Sequence, residues 1–563
     1  MPKPSIWNVA WLKTRRSLLL VAAGVLVPLF LVNPFREMLS EDDSWAYARM
    51  VEHLLATGRY ELDAWAAANM PVQIYLAAAA SKLFGYSLSL LRCTTLALFV
   101  AGIASFYLLL RELGRSRAIA ALTTCTLIAS PLVLMLAFTF MSDVQFLGWL
   151  LLSLWLYVRS ISRASVTGIL LASIAAGCAI GTRQFGVAIL VGLMLSWLLC
   201  HRENRLPIRS FLAGAAIPLL AAAAQIYIGL RRPTFTQAYR MAEQHGFLHH
   251  SASALASESV WRLLVILQYA GMCLIPLLPI LAATNGVRSW RKYAAIATSC
   301  LAVIAALSIG SPLTARPEAQ HRGMWEPLTL YWLLPTHLHR LHWAMRLLDV
   351  GGIAGAGYLA WMLTDFFRSG RWRSPAALLL AGTGGALVLL HLSYVQLNDT
   401  YIAALIPFVL LLASGVTQRY ASRGLYACSA IACLGLIVAA SLWMRAESAA
   451  QEAVWTSADA LLRSGVAPQD IGAPLHWAEY HGAFDDWVAV GAPCFVPSQP
   501  SDRGRDALHD PFYAWLNTRS AEAEYMFLDS AAPYNRADWQ PIRTVAYRNA
   551  RFSKRQLVTL RRR

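Results

Sequence analysis

Apolar runs separated by short polar connections fill most of this sequence, and many approach the ~20 residues that a helix needs to cross a hydrocarbon core. Backbone polar groups have no partners in lipid, so such runs must be helices. The pattern predicts thirteen spans, at 18–33, 88–110, 118–137, 144–158, 165–180, 186–200, 211–230, 262–285, 293–311, 350–365, 375–395, 401–417 and 424–444. The first has the basic flank and apolar run of a signal peptide, but no small-x-small cleavage site follows it and twelve further spans do. It is expected to stay as the first helix. The fold class expected is therefore a polytopic α-helical membrane protein with surface helices in its first external loop. Residues 1–444 form the membrane body, and 445–563 form a small extracytoplasmic α/β C-terminal domain.

Composition agrees with this reading: over 563 residues the chain is 57% hydrophobic and 14% charged, with a mean hydropathy of +0.47, against about 25% charged in soluble proteins. The net charge of +17 would suggest nucleic acid if its location were ignored. The segment to Arg16 and the loops 111–117, 159–163, 201–209, 286–292, 368–373 and 418–423 hold 20 Lys and Arg, with only Glu112 and Glu203 against them. These loops alternate in parity along the chain. That is the positive-inside distribution of a membrane protein, and no nucleic-acid partner is expected. It puts the N-terminus in the cytoplasm. With an odd number of spans, the loops 34–87, 231–261 and 312–349 and the tail 445–563 lie on the extracytoplasmic side. Eight of nine cysteines fall in apolar spans and only Cys494 lies in the tail, so the tail has no disulfide framework.

The first external loop carries most of the polar information. Asp42-Asp43-Ser44 is followed by Tyr47, Met50, Val51, Leu54 and Leu55 at i, i+3, i+4, i+7, i+8, with Arg49, Glu52 and His53 on the opposite face. This spacing predicts an amphipathic helix lying on the membrane surface. An N-cap is the plain role for one acid of the pair, but a cap needs only one. Asn69-Met70-Pro71 opens a second surface helix, with Pro in the tolerated first turn and Gln73 soon after. Asp143 precedes the fourth span, where a helix cap is an equally good account. Arg183 is the one charge in the turn between spans five and six, and snorkelling to the headgroups is its plain alternative.

The order of these parts resembles the GT-C superfamily of membrane glycosyltransferases. It consists of an acidic pair after the first span, two surface helices, Phe84-Gly85-Tyr86-Ser87 and Leu91-Arg92 at the second span, Ser142-Asp143, and Asp399-Thr400-Tyr401 followed by Pro407. Within it the chain is most similar to the bacterial branch with the protein O-mannosyltransferases and the lipid A aminoarabinose transferase. The resemblance implies a bacterial inner-membrane enzyme that transfers sugar, with inversion, from a polyprenyl-phosphate donor to a lipid, glycan or protein acceptor. It places the catalytic acid at Asp42 or Asp43. Counting back from Tyr47 favours Asp43, whereas the first acid of the pair is Asp42, which is the first choice. Asp143, Arg183, Gln73, Asp399 and Tyr401 are the expected substrate-binding residues.

The chemistry asks for the same parts. Displacing a lipid phosphate from an anomeric carbon requires a carboxylate to take the proton of the attacking hydroxyl and a cation where phosphate charge develops. Arg183, Arg49, Arg316 and Arg322 are the external candidates, with Arg183 nearest the membrane surface. A divalent metal ion held by the acidic loop is compatible, although Asp42, Asp43 and Asp143 form no metal motif by spacing. His391 reads as a satisfied core histidine, and Trp477, Glu479, Tyr480 and His481 as the aromatic surface of the tail. The rival function is a transporter or lipid flippase. Against it, the spans carry no Asp, Glu, Lys or Arg apart from Arg92, Arg262 and Asp365 at or near three ends, where ion coupling uses intramembrane charges.

Overall fold

The computed structural model describes residues 16–39, 43–63, 66, 68–200, 208–231, 252–283, 342–393, 399–482, 523–529, 538–548 and 554–563. They form a mostly helical body followed by a small sheet. In chain order the first helices are α1 (Arg16–Val32), α2 (Ser44–Thr57), α3 (Pro71–Phe84), α4 (Leu88–Glu112), α5 (Arg117–Ile128) and α6 (Pro131–Ala137). Next come α7 (Ser142–Arg163), α8 (Val166–Thr182), α9 (Ala188–Cys200), α10 (Ile208–Leu230), α11 (Ala252–Met272) and α12 (Leu278–Ala282). After them lie α13 (His342–Arg368), α14 (Pro375–Ser393), α15 (Asp399–Ile402), α16 (Ile406–Tyr420), α17 (Arg423–Arg463) and α18 (Leu475–Tyr480).

Serine punctuates the body. Ser87, Ser116, Ser165 and Ser422 each stand just before a helix and accept a hydrogen bond from a first-turn backbone N–H, at Leu90, Ile119, Gly168 and Leu425. Those bonds satisfy donors that a helix start leaves without a partner. The apolar faces then pack as pairs: α4 on α7, α7 on α8, α8 on α10, α9 on α14 and α11 on α13. Lipid offers no hydrophobic drive between helices, so contact depends on close approach. At the α4–α7 crossing a Cβ on Gly102 would stand 2.8 Å from the Gly148 Cα, so only glycine fits there.

Among the described residues, five helices are long and apolar enough to cross a membrane alone, and six if one bent pair counts as a single span. That pair corrects the span read at 118–137: α5 and α6 meet at 69°, because Pro131 opens a new helix instead of continuing the old one. The runs at 262–285 and 401–417 are likewise interrupted, the first before α12 and the second between α15 and α16. The span read at 293–311 lies outside the described residues, as do Asp42, Arg316, Arg322 and Cys494.

The last predicted span does not stop at 444. Helix α17 runs unbroken for 41 residues, its final turns standing beyond the apolar stretch. Strands β1 (Ile471–Gly472), β2 (Tyr525–Asp529), β3 (Trp539–Arg548) and β4 (Lys554–Arg562) form one sheet in the order β1-β2-β4-β3, parallel between β1 and β2 and antiparallel elsewhere. β3 tolerates Pro541 because it is the edge strand, and its register shifts between Pro541 and Arg543. The sheet packs against α17.

Helix α2 departs from the sequence reading as well. Its apolar face is buried as the spacing requires, with Tyr47, Met50, Val51 and Leu54 all inside, and Gly58 ends it in the left-handed conformation with φ of 71°. Part of its polar face meets the tail and not water. Arg49 donates to the Glu479 carbonyl at 3.1 Å and Glu52 accepts from the Tyr480 hydroxyl at 2.6 Å. Glu479 and Tyr480 thus belong to a seam between the tail and α2, and Trp477, 0% exposed, donates to Asp459 on α17 at 2.7 Å, so they do not form an aromatic surface. α3 does keep an exposed apolar side, with Tyr75, Leu83 and Phe84 outward.

Candidate active site

The site assembles where four connections converge at one end of the bundle. The loop from α1 to α2 is fixed first. Arg92, one turn into α4 and buried, donates to the carbonyls of Pro34, Arg36 and Met38 at 2.7, 3.1 and 2.5 Å. In return Glu37 accepts from the Leu88 backbone N–H at 3.0 Å and from the Ser89 hydroxyl. Loop and helix start are thereby pinned to one another, which sets the direction in which the chain reaches the acidic pair.

Asp43 occupies the N-cap position of α2, and its carbonyl accepts from Ala46 and Tyr47. Its side chain makes no capping hydrogen bond. The cap explanation therefore accounts for Asp43's place in the chain but not for its carboxylate. Ser44 turns the other way, accepting from the Phe140 N–H at 3.1 Å. Gln73 on α3 donates to the carbonyl of that same residue at 2.7 Å. Both sides of the Phe140 peptide are held, so the turn leading into α7 is stapled to both helices of the first loop. Gln73, 0% exposed, stands behind the site and supports this turn.

Asp143 lies in the first turn of α7 and Arg183 in the extended residue between α8 and the 3₁₀ turn Gln184–Val187. Arg183 Nη1 meets Asp143 Oδ1 at 2.8 Å, and Nε donates to Ser142 Oγ at 2.7 Å. The Arg183 guanidinium also stacks over the Tyr401 ring, 4.7 Å from its centre. The turn can fold back this tightly because Gly186 has no side chain: a Cβ there would meet the Ile180 N at 2.7 Å. Phe185 packs edge-on to Tyr401 and stacks on His391 at 4.9 Å between centroids. His391 in turn faces the carbonyls of Leu387 and Tyr401 through its two ring nitrogens, at 2.5 and 3.1 Å.

Tyr47 completes the cluster from below. It is 1% exposed, and its electrostatic neighbours are Asp43, Arg183, Asp143 and Tyr401. Burial, with the Asp43 carboxylate next, holds its phenol well above the ordinary value, so it stays a neutral donor at any working pH. The structure therefore brings together Asp43, Asp143, Arg183 and Tyr401, all read from sequence, and adds Tyr47, Ser142, Phe185 and His391. Asp399 begins α15, but its side chain, like Asp42, lies outside the described residues. Arg49, an alternative cation, is held instead by the Glu479 carbonyl of the tail and, within its own loop, by Asp63 at 3.7 Å. Among the described residues no group of three or more His, Cys, Asp or Glu side chains is placed to hold a metal ion. Ser142 was legible beside Asp143. Phe185 and His391 carry no local signal, since their relevance comes from packing on Arg183 and Tyr401.

Residues 46–239 match the family described as dolichyl-phosphate-mannose-protein mannosyltransferase. The matched segment begins just after the acidic pair and includes Tyr47, Gln73, Asp143 and Arg183. Among solved structures, the chain is similar to ArnT from Cupriavidus metallidurans bound to undecaprenyl phosphate, at 16% identity over 98% of each chain with a TM-score of 0.44. It is similar too to the Archaeoglobus fulgidus oligosaccharyltransferase, at 13% identity over 92% of this chain and 70% of that one, with a TM-score of 0.45. A third similarity is to the S. cerevisiae Pmt1-Pmt2 complex bound to the sugar donor, at 16% identity over 40% and 35% of the chains and a TM-score of 0.33. A comparison with curated protein sequences finds no significant match.

Proposed function

We propose that this GT-C protein transfers a sugar, with inversion, from a polyprenyl-phosphate donor to an acceptor hydroxyl at the extracytoplasmic face of a bacterial inner membrane. One observation carries the reading: carboxylates from α2 and α7, a buried guanidinium and two tyrosines from separate elements converge at one end of an apolar bundle. The family description supports this donor class, because dolichyl-phosphate mannose is a polyprenyl-phosphate sugar.

In this reading Asp43, or its neighbour Asp42, accepts the proton of the attacking hydroxyl as the bond to the anomeric carbon forms. The lipid phosphate leaves on the opposite side of that carbon, which inverts it. Arg183 faces the developing phosphate charge, and Asp143 and Ser142 fix the direction of its guanidinium while the Tyr401 ring supports its face. Tyr47 donates a hydrogen bond beside the base. The tail, whose α18 docks on α2, helps select the acceptor. Incubating membranes that contain the protein with a panel of radiolabelled polyprenyl-phosphate sugars tests this. Loss of label from the lipid with one donor supports it, and retention of label on every donor in the presence of cell-envelope acceptors overturns it.

A further inference from the structure

At the other end of the bundle, arginines outnumber the carboxylates that meet them among the described residues. Helix α4 separates its Leu88 and Glu112 ends by roughly 35 Å, and the Glu112 end gathers guanidinium groups. Glu112 itself is engaged there by Arg163 at 3.2 Å and Arg159 at 3.7 Å. The carboxylate left for the neighbouring arginines is Asp365, at the end of α13, which pairs with Arg371 and lies 4.0 Å from Arg419.

Arg115 stands beside that group without a carboxylate of its own among the described residues. Half-buried, its Nε donates to the neutral Ser414 hydroxyl at 3.0 Å. Its guanidinium shares a notch with that of Arg371. The point where a Cβ on Gly415 would stand is 3.1 Å from Arg115 Nη2 and 3.4 Å from Arg371 Nη1, so the missing side chain makes room for both cations against α16. Burial together with Arg371 and Arg419 lowers the Arg115 pKa, the mark of a cation short of negative charge. Holding three guanidinium groups around one carboxylate is costly unless an anion joins them. Phe367 and Tyr420 project outward beside the cluster, 56% and 41% exposed, which sets it at the level where aromatic side chains meet headgroups and acyl chains.

We propose that Arg115 and Arg371 at the Gly415 notch, with Arg419 at its edge, bind the phosphate of an anionic phospholipid in the leaflet opposite the acidic site. The forked guanidinium donors match phosphate oxygens, and juxtamembrane arginines are drawn to an anionic leaflet. The site is independent of sugar transfer, since none of its residues belongs to the acidic cluster.

The test uses the full chain purified in detergent, with phosphatidylglycerol binding followed by native mass spectrometry and thermal midpoint. Replacing Arg115 and Arg371 together by Gln should weaken phosphatidylglycerol binding by about tenfold or more. The charge-matched control Arg159→Gln with Arg163→Gln should leave it near wild type. Asp365→Asn removes the competing carboxylate and should tighten binding, a gain that misfolding cannot mimic. Equal loss in the control pair, or no gain in Asp365→Asn, overturns the site. Stabilisation by inorganic phosphate equal to that by phosphatidylglycerol overturns the lipid assignment and leaves a soluble phosphate as the ligand.

Discussion

Arg183 and Asp143 meet at 2.8 Å with side chains only 7% and 3% exposed, so each neutralises a charge that the other could not leave uncompensated. Removing one partner of such a pair costs about 3–5 kcal/mol, whereas replacing both with apolar residues of similar size is often neutral. Arg183→Met and Asp143→Leu are therefore expected to lower the thermal midpoint singly, and the double variant to recover most of it. Sugar transfer should stay lost in the double variant. Recovery of transfer along with stability would make the pair purely structural.

Asp43 holds the N-cap position without a side-chain cap, so Asp43→Asn should leave α2 intact. A general base is worth roughly 10²–10⁴ in rate, and one of Asp42→Asn or Asp43→Asn is expected to lose transfer by about that factor at unchanged expression and melting. Should both Asn variants transfer sugar at near-normal rates, the base lies elsewhere and Asp143 becomes the next candidate.

The seam between the tail and α2 depends on a short hydrogen-bond chain, from Tyr86 to Tyr480 at 3.2 Å and from Tyr480 to Glu52 at 2.6 Å. Tyr480→Phe leaves Glu52 without that donor, at a cost of about 1–3 kcal/mol. The expected result is faster proteolysis of the tail and a raised acceptor KM with donor KM unchanged. Equal rises in both would place the effect in the body and not in acceptor selection.

His476 sets a pH dependence for the same seam. Burial pulls its imidazole down to about 3 from an ordinary value near 6.5, so the folded protein holds it neutral. The unfolded chain binds the proton first as pH falls. Its contribution is complete above about pH 6.5 and is lost progressively between there and pH 3, by about 1.4 kcal/mol per pH unit in the middle of that window. Hydrogen-exchange protection at 475–481, relative to the intrinsic rate at each pH, should fall between pH 7 and pH 5 in the wild type, and His476→Phe should flatten that response.

How far the sequence carried the structure can be judged from particular residues. The apolar runs located α1, α4, α7, α8, α14 and the start of α17 because lipid exposure leaves a one-dimensional record. The break at Pro131 and the extension of α17 past 444 were lost because hydropathy reports the solvent around a helix and not its continuity. Arg183 stands out in the sequence as a lone charge in its turn, and the structure places it against Asp143 and Tyr401. Its partner Asp143, forty residues away, could be named as a candidate but not paired, since nothing local records a contact between helix ends. Arg49 and Glu52 looked solvated because a polar helix face reads the same whether it meets water or another polypeptide segment.

The unbroken course of α17 has a mechanical consequence. A 41-residue helix is a rod about 60 Å long, rooted in the bundle at one end and carrying the sheet at the other. Its azimuth is then set by residue count. One residue inserted after Arg445 would swing the sheet by about 100° and carry α18 off α2, while seven would restore the angle and lift it by about 10 Å. The length of this rod works as a gauge between membrane and tail, so changes in tail position are quantised by helical phase.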